Sequence, residues 1–209
     1  MTTRERDPRK IRVLIAVDSP LARERMKAML RTSGFDVVGE ARDGSHAETA
    51  ARDLKPTVVI VDLALPEWGG LDATRRVRAQ APESRVLLAS GYGGVDVLRE
   101  AIACGAAGYV LKDASQQAYA DAVTMAASGA FVIDKRLLKE LDDVMAPPDQ
   151  IAPAQDASGV TVAERELVRL VLEGVSCEQI AAQSGRTVDS IRDVIQRILA
   201  SAGRQVTNQ

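Results

Sequence analysis

Short apolar runs rich in β-branched residues alternate with longer amphipathic stretches between residues 11 and 141. Each run is followed by a turn and then by apolar residues at helical spacing, the pattern expected of βαβ units around a parallel sheet. The pattern predicts five strands, at Ile11–Val17, Asp36–Glu40, Thr57–Asp62, Arg85–Ala89 and Ala107–Leu111. We therefore expect a doubly wound α/β domain over residues 11–141, preceded by an N-terminal extension of residues 1–10.

A segment with neither periodicity follows, over residues 142–159. It contains three prolines and four acidic residues but no base. Proline cannot propagate a helix, and the segment has too few apolar residues to bury a core. We interpret it as a linker.

The pattern of residues 160–204 is purely helical. Capping boxes at Thr161–Glu164 and Ser176–Gln179 predict two helix starts, Gly174 suits the end of the first helix, and a third helix begins near Thr187. A short helix, a turn with glycine and a longer helix are typical of a helix-turn-helix. A domain of this size buries little surface, so we expect it to lean on the first domain or on a partner.

The composition excludes several chemistries. The chain has one histidine, His46, and two cysteines, Cys104 and Cys177, which are too far apart for a zinc or iron-sulfur set. His46 follows a Gly-Ser turn and is interpreted as solvated, and both cysteines as buried small hydrophobes. With 3% aromatic residues, a stacking platform for single strands is excluded.

The termini and the charge add two expectations. No apolar run has the ~18 residues of a membrane span, and the first residues do not form a signal peptide, so we expect a cytoplasmic protein without membrane contact. Residues 205–209 are expected to form a short tail. Residues 160–209 carry six bases and six acids, so the helical segment lacks the basic excess of a strong non-specific DNA binder.

Polar side chains stand at four of the predicted strand ends. Asp18, Asp62, Ser90 and Lys112 supply two carboxylates, a hydroxyl and an ammonium group. Ligands of open α/β sheets bind beyond the carboxyl ends of the strands, where these residues converge. Taken singly, an Asp after a strand is an ordinary turn former and Lys112 an ordinary solvated lysine.

These residues belong to motifs of a known family. The runs IRVLIAVDSPLARERMKAML, VVIVDLALPEWGGLDATRRVR and AGYVLKDAS resemble the receiver domain of two-component response regulators, with Pro66 four residues after Asp62 and Tyr109 three before Lys112. The run TVAERELVRLVLEGVSCEQIAAQSGRTVDSIRDVIQRIL resembles the LuxR-type helix-turn-helix. The chain is thus similar to the NarL/FixJ family outside its first ten residues and its linker. The resemblance implies a flavodoxin-like receiver with a five-stranded parallel sheet.

The resemblance also implies a function for the strand ends. Asp62 is the expected acceptor of a phosphoryl group from the phosphohistidine of a sensor histidine kinase. Mg²⁺ is the expected cofactor, held by Asp18, Asp62 and the main-chain carbonyl of Ala64. The chain is then not an enzyme, beyond phosphorylating and dephosphorylating itself at Asp62.

Three further residues are implied in signalling. Ser90 and Lys112 are expected to hold the phosphoryl group, while Ser90 and Tyr109 move as a switch. Two new charged hydrogen bonds stabilise by about 3–6 kcal/mol, against the ~5.5 kcal/mol that inverts a 1:99 equilibrium. A half-buried strand aromatic is the alternative interpretation of Tyr109.

The chain departs from the family at two positions near this site. Receivers usually carry a pair of acids after strand one, and here the first is Val17; Gly69 stands where the family often has Asp. Val17 removes a carboxylate from the surroundings of the metal, so we expect weakened Mg²⁺ binding. A receiver that signals without phosphorylation is the alternative. A phosphatase working through an aspartyl phosphate is a third hypothesis, which Ala64 disfavours, since such enzymes commonly carry a second Asp there.

The third helix predicts a DNA-reading surface. Its apolar positions Ile191, Val194, Ile195, Ile198 and Leu199 form a core stripe. The candidate DNA contacts lie outside that stripe and are Thr187, Ser190, Arg192, Asp193, Gln196 and Arg197.

Two features qualify the prediction that this surface reads promoter DNA. Asp189 and Asp193 repel phosphates, so the alternative is a helical module that binds a protein partner. The LuxR-type fourth helix, which pairs modules on DNA, is not evident after Ser201. A homodimer is then expected to form through helices one and five of the receiver.

Overall fold

The computed structural model describes residues 10–91, 94–134, 136, 161–172, 175 and 177–206, except the side chains of a few helix residues. A parallel sheet lies at the centre of the first domain. Its strands follow the predicted positions within two residues. They are β1 (Arg12–Ala16), β2 (Asp36–Ala41), β3 (Val58–Asp62), β4 (Arg85–Ser90), β5 (Gly108–Leu111) and β6 (Val132–Ile133).

The sheet has the order β2-β1-β3-β4-β5-β6, with every neighbouring pair parallel. The doubly wound α/β fold is therefore confirmed. The prediction of five strands was wrong by one, because β6 has only two residues, which is too short to show an alternation of its own. The strand order reverses between β1 and β3, so the ligand crevice of this topology lies at their carboxyl ends.

Five helices connect the strands. They are α1 (Pro20–Thr32), α2 (Gly44–Leu54), α3 (Gly69–Gln80), α4 (Val95–Ala103) and α5 (Gln116–Ala127). Ser19, Asp43 and Ser115 cap α1, α2 and α5 by accepting a hydrogen bond from a backbone N–H of the first turn. These caps fix where each helix starts after its strand.

Each face of the sheet has its own hydrophobic core. Leu14 and Ala16 of β1 point to the face that also carries residues of α2, α3 and α4. Val13, Ile15 and, directly after the strand, Val17 point to the opposite face, where α1 and α5 pack. This alternation is the side-chain period of a strand, and it places Val17 inside the α1/α5 core.

The second domain consists of helices α6 (Val162–Leu172), α7 (Cys177–Ser184) and α8 (Val188–Val206). The predicted capping box at the start of α6 is confirmed: the Glu164 amide donates to the Thr161 hydroxyl at 3.2 Å, and the Thr161 amide donates to the Glu164 carboxylate at 2.9 Å. Ser176 and Gly174 lie outside the described residues, as does the predicted linker 142–159. The first two residues of the predicted tail belong to α8.

The helical domain packs on the receiver-like domain through α8 and α4. The predicted stripe residues Ile191, Val194, Ile195 and Ile198 are buried in one hydrophobic cluster with Leu98, Ala101 and Ile102 of α4. Both cysteines are buried, as predicted. The expectation that the small domain leans on the larger one is therefore confirmed. Within the described part of the chain, no helix is long and apolar enough to cross a membrane.

Candidate functional site

Asp62 lies at the carboxyl end of the fully buried strand β3 and is itself 1% exposed. One carboxylate oxygen, Oδ1, accepts the backbone N–H of Ala64 at 2.9 Å. The other, Oδ2, lies 2.6 Å from the ammonium nitrogen of Lys112. A buried carboxylate is tolerated when it is paired in this way. Asp62 is therefore anchored at the bottom of the crevice by a backbone N–H and by Lys112.

The register of β3, β4 and β5 positions Lys112 beside Asp62. Its backbone N–H donates to the carbonyl of Ser90 at 2.7 Å, and the N–H of Leu63 donates to the carbonyl of Ala89 at 2.8 Å. These bonds continue the parallel ladders just beyond the strands. They bring the ends of β3, β4 and β5 side by side, so that Lys112 reaches Asp62 with a side chain that is 38% exposed.

Ser90 and Tyr109 are the two residues predicted to act as a switch. Ser90 ends β4 and is 1% exposed, beside the end of β3. Tyr109 is fully buried in β5, on the face of the sheet that carries α4. The alternative interpretation of Tyr109 as a half-buried aromatic was therefore wrong, because the α4 face packs over it.

Asp18 stands at the same edge of the sheet, after β1. Its side chain is exposed to solvent, and its Oδ1 accepts the N–H of Ser19 at 2.6 Å. Asp18 and Asp62 thus supply two carboxylates at the β1/β3 switch point. Mg²⁺ sites need one or two carboxylates and complete their shell with water and substrate oxygens. The residues present therefore fit a magnesium ion.

Val17 contributes nothing to that donor set. It is 1% exposed and its side chain packs in the α1/α5 core. Within the described part of the chain, no cluster of three or more His, Cys, Asp or Glu side chains could hold a metal ion. The crevice thus presents two carboxylates, and the weak metal binding expected from Val17 stays a prediction.

Sequence reasoning missed a cationic clamp on the exit from β1. The Arg23 guanidinium of α1 donates to the carbonyl of Val17 at 2.7 Å and of Asp18 at 3.2 Å, and it pairs with Glu40 at 3.2 Å. Lys27 also pairs with Glu40, at 2.6 Å, which lowers the pKa of that carboxyl. The helical spacing of Arg23 and Lys27 was the signal that could have revealed the clamp.

Sequence reasoning also missed the role of Gly70. A Cβ atom there would lie 2.4 Å from the carbonyl oxygen of Asp62 and 2.6 Å from Cα of Leu63, both backbone atoms. The Gly70 amide donates to the Leu63 carbonyl at 2.9 Å. The first turn of α3 therefore closes directly against the backbone that carries Asp62, and only glycine allows this approach.

The candidate DNA contacts do not form one free surface. Thr187 and Asp193 are exposed, and the Thr187 hydroxyl accepts the N–H of Ser190 at 3.2 Å. Arg197 is ion-paired with Glu164 of α6. Arg192 is 23% exposed and lines a crevice between the two domains. The side chain of the sixth candidate, at position 196, lies outside the described atoms.

An ion pair joins the domains at the same crevice. The Arg85 guanidinium, at the start of β4, lies 2.7 Å from the Glu178 carboxylate in the first turn of α7. Both side chains are partly exposed, at 28% and 41%. The helical domain is thus held against the first domain by the apolar packing of α8 on α4 and by this ion pair from α7.

Comparison with known proteins agrees with the fold. A family model described as the response regulator receiver domain matches residues 13–124. The DNA-binding transcriptional activator DevR/DosR of Mycobacterium tuberculosis is 32% identical over 203 residues, which are 95% of this chain and 91% of that protein.

Solved structures extend the similarity to both domains. A two-component response regulator of the LuxR family from Aurantimonas sp. SI85-9A1 is 29% identical with a TM-score of 0.61, over 64% of this chain and 96% of that one. The response regulator ChrA of a heme-sensing two-component system is 26% identical with a TM-score of 0.53, over 95% and 98% of the two chains. The chain therefore belongs to the NarL/FixJ family of two-component response regulators, with a receiver domain followed by a LuxR-type helical module.

Proposed function

We propose that Asp62 accepts a phosphoryl group from a sensor histidine kinase and that this modification controls promoter binding by the helical module. One observation carries the proposal: a buried carboxylate at the β1/β3 switch point, held 2.6 Å from the ammonium group of Lys112. Such a carboxylate is a suitable nucleophile for forming an acyl phosphate.

The chemistry assigns a role to each group at the crevice. An oxygen of Asp62 forms a bond to phosphorus, while the bond from phosphorus to the imidazole nitrogen of the kinase breaks and the imidazole leaves. Lys112 then pairs with the phosphoryl oxygens in place of the bare carboxylate. The hydroxyl of Ser90, at the end of the neighbouring strand, supplies a hydrogen bond to the new dianion. The chain turns over no substrate other than its own phosphoaspartate.

Receiver domains generally bind Mg²⁺ at the phosphorylation site. In this chain Asp18, Asp62 and the carbonyl of Ala64 are the groups that would hold it. The ion neutralises charge on the transferred phosphoryl group when bound. Because Val17 provides no third carboxylate, we expect the affinity for the ion to be low.

The packing of α8 on α4 supports the control of DNA binding. Helix α4 begins at Val95, shortly after Ser90 in the chain. It contacts α8 of the helical module. A movement of Ser90 towards a phosphoryl group therefore acts on the segment that leads into α4. Loosening of the α4 contact frees α8, and with it Arg192, for the major groove.

The homodimer and the cytoplasmic location also remain proposals. A homodimer through α1 and α5 agrees with the exposure of Leu21 and Met125, which are 71% and 39% exposed on these helices. The cytoplasmic location stays a prediction from the sequence.

The first experiment measures phosphorylation directly. The full chain is incubated with a small acyl-phosphate donor, with magnesium or with chelator, and its intact mass is recorded. We expect a metal-dependent phosphoryl adduct that is absent in Asp62→Asn and reduced in Asp18→Asn. Asp53→Asn, which makes the same change on the exposed face of α2, serves as the control and keeps the adduct.

The alternatives give different outcomes. An adduct that forms equally in Asp62→Asn contradicts the proposed acceptor. No adduct in the wild type, with an adduct in Val17→Asp, identifies a receiver that signals without phosphorylation.

DNA binding is tested by electrophoretic shift against genomic fragments over a salt series, with and without phosphodonor. Phosphate contacts predict a steep negative slope of affinity against salt, and the phosphorylated protein is expected to bind more tightly. If neither form shifts DNA at high protein concentration, the helical module binds a protein instead.

A further inference from the structure

A second charged crevice lies between the receiver and the helical module, at the amino-terminal end of the sheet. Arg78 comes from the last turn of α3, Arg85 from the start of β4, Glu178 from α7 and Arg192 from α8. The crevice encloses a cavity of about 20 Å³. This volume holds one water molecule or one monatomic ion.

The guanidinium groups around this cavity outnumber the carboxylates. Glu178 is the one acidic residue among the side chains that line it, and its carboxylate is engaged with Arg85 at 2.7 Å. The Arg78 Nη1 group donates to the Ser84 carbonyl at 3.0 Å, which carries no net charge. Arg192 has a carboxylate partner in Asp189, but that group is 3.5 Å away and 90% exposed.

The excess positive charge affects the titration of Arg78. Burial lowers the pKa of Arg78, and the nearby charges of Arg192 and Arg85 lower it further. Glu178 and Glu83 act in the opposite direction and do not cancel the effect. Partly buried guanidinium groups that outnumber the nearby carboxylates are stabilised by a counter-charge, which a neutral water molecule does not provide.

We propose that this crevice binds a single chloride-sized anion between Arg78, Arg85 and Arg192. Two of the three arginines belong to the receiver and one belongs to α8. The anion therefore bridges the two domains and stabilises the closed arrangement in which α8 packs on α4.

This inference does not depend on phosphorylation, since the crevice lies at the end of the sheet opposite Asp62. A ligand that binds only the closed state multiplies the ratio of closed to open molecules by a factor of one plus the ligand concentration divided by Kd. At ten times Kd, the ratio rises by about tenfold.

The test uses the full chain without phosphodonor, at constant ionic strength, in sodium chloride or in sodium gluconate. Hydrogen exchange at the amides of α8 reports the opening of the domains, and the chloride-35 line width reports binding of the ion. We expect exchange about tenfold slower in saturating chloride, together with a broadened chloride signal. Equal exchange in the two salts overturns the proposal.

Variants localise the effect. Arg192→Gln is expected to abolish both the chloride dependence of exchange and the line broadening, and Arg192→Lys to retain part of each. Arg75→Gln removes the same charge from an exposed position of α3, where Arg75 pairs with Asp72, and should behave like the wild type. Chloride effects that persist in Arg192→Gln place the ion elsewhere and contradict the assignment.

Discussion

The two ends of the same parallel sheet carry opposite chemistry. At the carboxyl end, Asp18 is exposed to solvent and the buried Asp62 pairs with Lys112, where we propose that a metal ion and a phosphoryl group bind. At the amino end, Arg78 and Arg85 face the helical module instead. The first end is built for a reaction and the second for holding a partner domain.

This difference teaches how one sheet serves two purposes. Parallel strands place all their carboxyl ends on one side, so reactive groups from different strands converge there. The amino ends lie beside the last turns of the helices, and Arg78 belongs to the last turn of α3. The proposed reaction site and the contact between the domains are therefore separated by the length of the strands. A residue substituted at one of these sites does not touch the other site.

The largest effect is expected from Val17→Asp, which makes the carboxyl end more acidic. Burying a Val stabilises by about 1.5–3 kcal/mol, and a carboxylate desolvated without a partner costs about 1–3 kcal/mol more. We expect the free energy of unfolding to fall by about 3 kcal/mol or more, as measured in urea. Magnesium should restore part of it, because a third carboxylate now binds the ion.

Val17→Asn is the control for this change. It has the same shape without the charge, so its stability should depend less on magnesium. A Val17→Asp protein as stable as the wild type would mean that Val17 is not part of the α1/α5 core.

Gly70→Ala is expected to disturb the same end through the backbone. Its Cβ atom meets the carbonyl of Asp62, so the turn that carries Asp62 must move. Overpacking of this kind costs about 1–3 kcal/mol, and we expect slower phosphorylation as well. Gly91→Ala places its Cβ where no atom lies within 4 Å and serves as the matched control at the end of β4. Equal stability of the two variants contradicts the close approach.

Asp43 supplies a pH-dependent test at the carboxyl end of β2. Its carboxylate caps α2, and the backbone N–H of His46 is the main cause of its lowered pKa. His46, interpreted from sequence as solvated, is half exposed but also places its ring nitrogen 2.6 Å from Asp43. Asp43→Ala should lose about 1 kcal/mol of stability with the cap.

The sign of the pH effect follows from the lowered pKa. The ionised cap stabilises the fold above its ordinary pKa of 3.8, and the stabilisation is lost as the pH falls through the lower folded value. Asp43→Asn keeps an acceptor but does not titrate. Its stability relative to the wild type should therefore improve as the pH falls below about 4, as measured by urea unfolding across pH. A constant difference contradicts the role of the charge.

The smallest effect is expected at the amino end, from Arg85→Gln. Partly exposed ion pairs contribute about 0.2–1 kcal/mol, so the loss of the pair with Glu178 should speed exchange at α8 amides by a factor of roughly 1.4 to 5. Arg52→Gln, whose partner Asp53 lies next to it on exposed α2, is the control. Unchanged exchange in Arg85→Gln would assign the closed arrangement to apolar packing alone.

Much of the carboxyl end could be predicted from the sequence, because strand ends are local. The run of buried residues before Asp62 fixes both the strand and the position of the carboxylate beyond it. The same holds for Lys112, since a short, continuously buried run, Gly108–Leu111, precedes it.

The amino end could not be predicted, for a physical reason. Arg85 and Glu178 are distant in sequence, and the capping box that contains Glu178 does not indicate a partner in the first domain. Their meeting depends on how α8 packs against α4, which is set by the shapes of two apolar faces. Gly70 was missed for a similar reason, because only the path of the backbone shows that a Cβ atom has no room there.

The ion pair between Arg197 and Glu164 limits how this regulator can acquire new target sequences. Glu164 is 8% exposed and also receives the Thr161 amide, so one carboxylate serves the start of α6 and the side chain of Arg197. A base contact made by Arg197 takes that arginine away from the carboxylate. If Arg197 reads DNA as proposed, a change at position 197 that alters the preferred operator therefore also alters the stability of the helical module. Under the same proposal, new specificity is more accessible at Asp193, which is exposed, than at Thr187, whose hydroxyl accepts the N–H of Ser190 in α8.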